Sequence, residues 1–511
     1  MTMAIFAVYD TTGIQDYVFA SGKLSECRGA SKLVRSVFSK MLPDSLPDGS
    51  IKDWDKRLND PLDINAPAEI ISTGGGNAYV VYHNKEVFQN STKRFLRTVL
   101  KKTSGIGVTV AAVETNLKDG FVEDYKFLQK RISETKGNIN TMQIAGSQSI
   151  TRTSSLTGEP VTRIEQSHGE WQSISEGQHY KRIAAASVDS ESIGFDNSAE
   201  TDNSKKSIEF DDLKETDNNY LGVIHADGND MSDRIREYAA SESDWYNAVP
   251  LLRRMSHDIT LCFQKAFDLT KAEYKEYFTK AGKTMPPIIP LVTDGEDMTF
   301  FAPGQYAISL AAKYLRHVEA LDIYPFRSDS SNKLTACAGV TLFHSHFPVS
   351  KAYAMAEELC SIAKGEARRA RDRGDDLSFL DFHIHASGFV TGITDFRNSY
   401  YPVLLDGKIY TRPLCTTPDV EDKDRYNEYD QLEHFITLIQ HSDEHPRSKL
   451  KDIRAALQQL RNDGMSEVDM LVADLKLTEK LPKYSGVFGK YAALNDALEI
   501  MDIFAEISEG V

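Results

Sequence analysis

Cysteine is scarce in this 511-residue chain: five residues, at positions 27, 262, 337, 360 and 415, with no C-x-x-C among them. That scatter excludes a disulfide framework and an ordinary zinc ribbon, and suits a reducing compartment. No run approaches the ~20 apolar residues of a membrane span. The first ten residues lack the charged region and long apolar core of a secretory leader. A soluble, cytoplasmic protein with no membrane partner is therefore expected. Positive charge is also in deficit: 59 Lys and Arg stand against 75 Asp and Glu, a net charge of −16. A broadly basic nucleic-acid surface is thus not expected. Apolar content is an ordinary 41%, and the length allows two to four domains.

What is present is organised around two acidic turns. His225-Ala226-Asp227-Gly228-Asn229-Asp230 ends an apolar run that starts at Tyr220. Thr293-Asp294-Gly295-Glu296-Asp297 follows Ile288 to Val292 and leads straight into Met298 to Ala302. Strand–turn–strand with acids in the turn presents carboxylates at one sheet edge. Mg²⁺ or Mn²⁺ takes such hard oxygen ligands and bridges them to substrate phosphates. Asp227, Glu296 and Asp297 are the candidate metal ligands and catalytic residues. Gly228 and Gly295 allow close backbone approach to a phosphate, and with Asn229 and Asp230 they are the candidate nucleotide-binding residues of these turns.

The surrounding pattern supplies a fold. Helical spacing follows at Met231 to Tyr238 and Asp244 to Leu269, then the hairpin, then a helix from about Gln305 to Ala320. A strand at Lys333 to Phe343, a helix at Val349 to Arg371 and a strand at Phe379 to Ala386 complete it. This β-α-β-β-α-β order is the ferredoxin-like palm, which sets the end of its first strand beside the turn between its second and third. Lys364, on the last helix, is placed to meet a terminal phosphate as a point charge.

Residues 1–140 repeat that organisation. Ala4 to Tyr9 is a strand ending at Asp10, and Gly74-Gly75-Gly76-Asn77 precedes the strand Ala78 to Tyr82. Laying Thr73 on Thr293 puts Gly75 on Gly295, Gly76 on Glu296 and Asn77 on Asp297. The chain therefore reads as two copies of one palm. The first copy lacks the turn carboxylates but keeps glycines able to cradle a phosphate. Gly74, Gly75, Gly76, Asn77 and Asp10 are its candidate nucleotide-binding residues.

The fold class is α+β: a degenerate palm (1–140), an inter-palm region (141–219), a catalytic palm (220–390) and a helical C-terminal domain (391–511). Ser154 to Ala186 reads as polar and irregular, and Ser187 to Asn219, with ten acidic residues and three Lys, as a flexible acidic linker. Ile393 to Thr417 reads as irregular. His257-Asp258 reads as a surface helix position, and His344, His346, His383 and His385 as structural.

These residues resemble the large palm-containing subunit of type III CRISPR effector complexes, a family that makes cyclic oligoadenylates from ATP. The resemblance is carried by Asp10-Thr11-Thr12-Gly13-Ile14-Gln15-Asp16-Tyr17, Lys23 to Ser31, Gly74 to Asn77, His225 to Met231, Ala338-Gly339-Val340 and Tyr353 to Leu359. It covers about residues 4–115 and 217–390. It implies an ATP-using nucleotidyltransferase of GGDEF-like architecture, with other effector subunits, guide RNA and target RNA as partners. Three departures stand out. The family's Gly-Gly-Asp-Asp turn is here Asp294-Gly295-Glu296-Asp297. The family often begins with an HD nuclease domain, whereas palm one here starts at the N-terminus, so that activity is expected to be absent. The four-Cys zinc module between the palms is represented only by Leu156-Thr157-Gly158-Glu159-Pro160 and Ile174-Ser175, so no zinc is expected. Two other readings compete: a catalytically weak scaffold around a guide RNA, and a diguanylate-cyclase-like enzyme using GTP.

Overall fold

The computed structural model describes residues 3–138, 150–167, 170–186, 210–213, 219–231, 233–235, 244–322, 333–385, 392–401, 403–404, 407–418, 426–441, 445–459, 465–482 and 489–507. The chain divides into two compact units: residues 1–209, 230–261 and 291–296, and residues 210–229, 262–290 and 297–511. The acidic stretch 187–209 and half of the residues of the helix expected at 231–238 lie outside the described residues.

The first unit opens with β1 (Ala4–Thr12), α1 (Ile14–Phe19) and α2 (Leu24–Ser36), continued by a π-helical turn and α3 (Leu42–Ser45). β2 (Ala68–Gly74), β3 (Asn77–Tyr82), α4 (Lys85–Thr103) and β4 (Gly107–Thr115) follow, then α5 (Phe121–Asn138). The strands lie in the order β2-β3-β1-β4, every neighbour antiparallel, which is the ferredoxin-like arrangement. Alternation along β1 builds two cores. Phe6 and Val8 join Tyr79, Val81 and Ala111 beneath Phe121, Tyr125, Leu128 and Ile132 of α5. Tyr9 faces the other way, edge-on to Phe95 of α4.

Residues 154–186, expected to be irregular, instead form a hairpin, β5 (Val161–Ser167) and β6 (Glu170–Ser175), and a helix, α6 (Glu176–Ala186). The hairpin leaves Ile164 and Trp171 exposed and buries Ile174 and Ser175 at one end, too short a buried stretch for an apolar period to reveal it. α6 is held tightly on α2, because a Cβ on Gly29 would stand 1.8 Å from the Lys181 carbonyl oxygen.

The second unit holds β7 (Tyr220–Gly228), most of the long helix α7 (Trp245–Lys280) beyond Leu261, the hairpin strand β9 (Asp297–Pro303) and α8 (Gly304–Ala320). β8 (Ile289–Asp294) begins in this unit and ends in the first. β10 (Ala336–His344), α9 (Val349–Asp372) and β11 (Phe379–His385) come next. The sheet order is Leu414–Cys415, β11, β10, β7, β9, β8. Its last four strands repeat the first palm, and β11 is added parallel to β10. The stretch expected to be irregular contains a helix, α10 (Ile393–Tyr400), whose Arg397 forms a buried pair with Asp381 at 2.6 Å. α11 (Tyr429–Gln440), α12 (Arg447–Gln458), α13 (Met465–Asp474) and α14 (Gly489–Ile500) form the helical part. Fully buried Arg412 docks α14 on the sheet by bonding Asp496 at 3.0 Å, Glu499 at 2.8 Å and the Phe382 carbonyl at 2.8 Å.

Candidate nucleotide site

In the second unit the ladder between β7 and β9 runs to Ala226 opposite Met298. One step further along the antiparallel register come Asp227, the penultimate residue of β7, and Asp297, the first residue of β9. On its other side Asp227 pairs with Cys337 of β10. Period-two alternation puts Asp227 on the face of Val223 and His225, the face covered by α9, where the His225 ring lies edge-on to Tyr353.

A missing side chain sets how closely α9 lies. Gly339 pairs with His225, and a Cβ there would come within 2.0 Å of the Ala356 carbonyl oxygen and 2.5 Å of the Cys360 nitrogen. The Cys360 thiol donates to the Cys337 carbonyl at 3.3 Å. One turn further along α9, Lys364 Nζ donates to Asp227 Oδ2. Burial pulls the Lys364 pKa down, but the Asp227 carboxylate outweighs it and the net direction is up, so this ammonium is charged at neutral pH.

Gly228 closes β7 opposite Ala336. Asn229 turns inward: its side-chain amide donates to Thr335 Oγ1 at 3.0 Å and to the Leu377 carbonyl at 3.2 Å. It thus fastens the end of β7 to the neighbouring segments and, with its backbone N–H on the Thr335 carbonyl at 2.9 Å, has no N–H left for a nucleotide, contrary to the binding role expected for it. Asp230 adopts a left-handed φ of 51°, which turns the chain out of the strand.

In the first unit Asp10 occupies the position equivalent to Asp227, opposite Asn77 on one side and Thr109 on the other. It too is met by a lysine, Lys136 of α5, at 2.7 Å. Sequence reading missed this residue. The signal was available: Leu128, Ile132 and Lys136 repeat the spacing of Ala356, Cys360 and Lys364.

The β2–β3 connection is Gly75-Gly76, both at positive φ (58° and 75°), as a type I′ hairpin requires. The Gly76 carbonyl accepts from Thr11 N at 2.9 Å and Thr11 Oγ1 at 2.7 Å. Residues 291–296 belong to this unit. Ser31 and Arg35 of α2 bond the Leu291 carbonyl and Thr293 Oγ1, and Gly295 lies against Gly75. A Cβ on Gly295 would come within 2.6 Å of the Gly75 nitrogen, and one on Gly75 within 3.3 Å of Glu296 Oε2. Next to this contact is a cavity of about 120 Å³, bordered by Gly75, Asn77, Gln129, Ser256, Thr260 and Glu296 and floored by Tyr79 and Tyr125. The two tyrosine rings stack at 5.6 Å.

The residues suit a divalent cation in kind. Asp227 and Asp297 supply hard carboxylate oxygens at adjacent strand ends, and Mg²⁺ needs only one or two of these beside substrate phosphates. Among the described residues no three His, Cys, Asp or Glu side chains are grouped closely enough to hold a metal by themselves. Between the palms, S-x₂-T-x₁₇-S-x₂-Q (Ser154, Thr157, Ser175, Gln178) has the spacing of a four-ligand zinc ribbon. The side chains bond instead of ligating. Ser154 Oγ donates to Gln178 Oε1 at 2.7 Å, the Gln178 backbone N–H to Ser175 Oγ at 3.2 Å, and both Ser175 Oγ and Thr157 Oγ1 to Glu159.

Two ferredoxin-like palms in one chain, with a helical C-terminal part, define a tandem-palm protein of the polymerase and nucleotidyl cyclase architecture. No protein-family model matches the chain, and no curated protein sequence does. Solved structures do. A Csm1–Csm4 cassette in complex with pppApA is similar over 98% of this chain and 69% of that one, with 15% identity and a TM-score of 0.55. The same cassette in complex with AMPPNP matches over 98% and 70% at 14% identity and a TM-score of 0.54. Csm1 in T. onnurineus matches over 99% and 70% at 13% identity and a TM-score of 0.52. At such identities the likeness shows the shared fold. No described helix is long and apolar enough to cross a membrane.

Proposed function

We propose that this chain is a nucleotidyltransferase that joins ATP units into a cyclic or short linear oligonucleotide messenger, acting in type III CRISPR-like antiviral defence in the cytoplasm. The observation that carries the reading is the register of the second palm, which runs to Ala226 opposite Met298, one residue short of Asp227 and Asp297, together with the bond from Lys364 to Asp227. Similar folds hold cyclic oligoadenylates and their linear precursors: the Csm1–Csm4 cassette is known with cA4, cA3 and pppApA. Its association with Csm4 supports an effector subunit with guide and target RNA as the setting in which this chain works.

In this mechanism Asp227 and Asp297 would hold Mg²⁺ or Mn²⁺. When bound, the ion supplies Lewis-acid stabilisation of the reacting phosphate and hydroxyl. Lys364 would neutralise phosphate charge as a point cation. Gly228 and Gly295 keep the approach to the phosphates free of side chains. Asn229 and Asp230 position the strand end that bears Asp227. In the first palm, the cavity beside Gly74–Asn77 takes the nucleotide that presents its hydroxyl, and Tyr79 and Tyr125 offer its base an aromatic floor. The test is incubation of the purified protein with each labelled NTP and Mn²⁺, with and without RNA. An oligonucleotide product from ATP supports the reading, and no product from any NTP under any condition rejects it.

A further inference from the structure

The two palms treat the same acid differently. In both, a lysine one helix beyond the fourth strand pairs with the aspartate that ends the first strand: Lys364 with Asp227, Lys136 with Asp10. In the second palm a further carboxylate, Asp297, stands opposite. In the first it is Asn77, so a single carboxylate remains, and it is already neutralised. One such carboxylate is a poor basis for a divalent cation. Nevertheless, a nucleotide in the adjoining cavity brings several negative charges that need a cation.

We propose that Lys136 is that cation: the first palm binds its nucleoside triphosphate without a divalent metal, with the Lys136 ammonium neutralising the polyphosphate. This rests on the reading of the cavity as a nucleotide site. Three observations support it. Lys136 Nζ lies 2.7 Å from Asp10, and its side chain is 42% exposed, so it is held at the site yet free to move. A half-exposed ion pair is weak, so an incoming polyphosphate competes well for the ammonium. Gln129, which borders the cavity, lies seven residues before Lys136 on α5, about 10 Å along the helix axis. That matches the reach of a nucleotide from its base to its outer phosphates. Asp10 then acts as a positioning residue, parking Lys136 when no phosphate is present.

The test is equilibrium binding of a non-hydrolysable ATP analogue to the full chain, in EDTA and in Mg²⁺. Wild type is expected to bind one equivalent in EDTA and two in Mg²⁺. Lys136→Met should weaken the EDTA-resistant event at least tenfold, Lys136→Arg should largely restore it, and Lys130→Met, at an exposed position of the same helix, should leave it within about threefold. Equal losses in Lys136→Met and Lys130→Met would make the effect one of general surface charge and overturn the proposal. So would no loss in Lys136→Met, or wild-type binding only in Mg²⁺. In that last case two Mg²⁺-dependent events would leave the nucleotide reading intact, whereas no binding in either buffer would reject that reading as well.

Discussion

Set side by side, the two palms share a sheet, a register and a lysine–aspartate pair, and they differ in one opposing residue and in what lies under the covering helix. Opposite Asp10 stands Asn77, whereas the strand paired with Asp227 ends on Asp297. Under α5 the sheet carries Ala111 where the second palm has Gly339, so α9 lies closer to its sheet than a methyl group would permit. Duplicating a fold thus preserves the scaffold that delivers charges to a strand end, while a change of one side chain decides whether two carboxylates or one await a ligand.

The sharpest test of that comparison is catalytic. Asp227→Ala and Asp297→Ala should each abolish product formation, a loss of several kcal/mol in transition-state stabilisation, with the fold retained by circular dichroism. Asn77→Asp, which restores the opposing carboxylate in the first palm, should give no second centre, because Gly76 still stands where the second palm has Glu296. Unchanged turnover in both alanine variants would remove the distinction between the palms.

Acid should separate the two units next. Among the described residues every buried histidine, 225, 383, 385 and 445, lies in the second unit. Burial lowers the His225 pKa from 6.5 to about 4 and that of His383 to about 3. The unfolded chain therefore takes up these protons first. The stability they contribute is complete above pH 6.5 and is lost as pH falls toward 4, by roughly 3 kcal/mol for His225 alone. In the first palm, burial raises the Asp10 pKa, an effect of opposite sign. Hydrogen exchange at pH 7 and pH 4.5 should show β7 and β11 losing protection before β1 and β3. The reverse order would contradict this.

The glycine turns offer a finer contrast. Gly295→Ala places a Cβ against the backbone of Gly75, which cannot yield, and should cost about 2 kcal/mol in a denaturant titration. Gly75→Ala meets only the movable end of Glu296, and its left-handed φ should cost about 1 kcal/mol. Gly75→Val, larger and branched, should lower activity strongly by obstructing the acceptor nucleotide while metal-dependent binding at the second palm survives. If Gly75→Val keeps full activity and two binding events, the turn is structural only.

Much of this was legible in the residues. The apolar runs ending at Asp10 and Asp227 and the glycine turns 64 to 67 residues later are short-range signals, and they specify both palms. α9 was readable because Ala352, Tyr353, Ala356, Leu359, Cys360 and Ala363 make one apolar stripe. α5 and the hairpin β5–β6 were less legible: α5 follows the last strand of its palm, outside the β-α-β-β-α-β pattern, and the hairpin buries too little to show a period. The partnership of Asp10 with Lys136 spans 126 residues, and only the folded register brings it together. The inward turn of Asn229 was hidden for the same reason, since its partners Thr335 and Leu377 come from distant segments.

The ribbon-like turns at Ser154–Thr157 and Ser175–Gln178 have a consequence for motion. Zinc closes such a loop with about 10–16 kcal/mol of binding free energy, whereas a hydrogen bond among polar side chains is worth about 1 kcal/mol net. A few bonds of that size allow the loop tip to open often, while α6 stays fixed by its seat on Gly29. Amide protons around residues 154–158 should then exchange with solvent far faster than those of β1. That rate would rise with temperature and be indifferent to chelators, making this corner of the molecule a thermally driven hinge where a metal-bound counterpart would be a rivet.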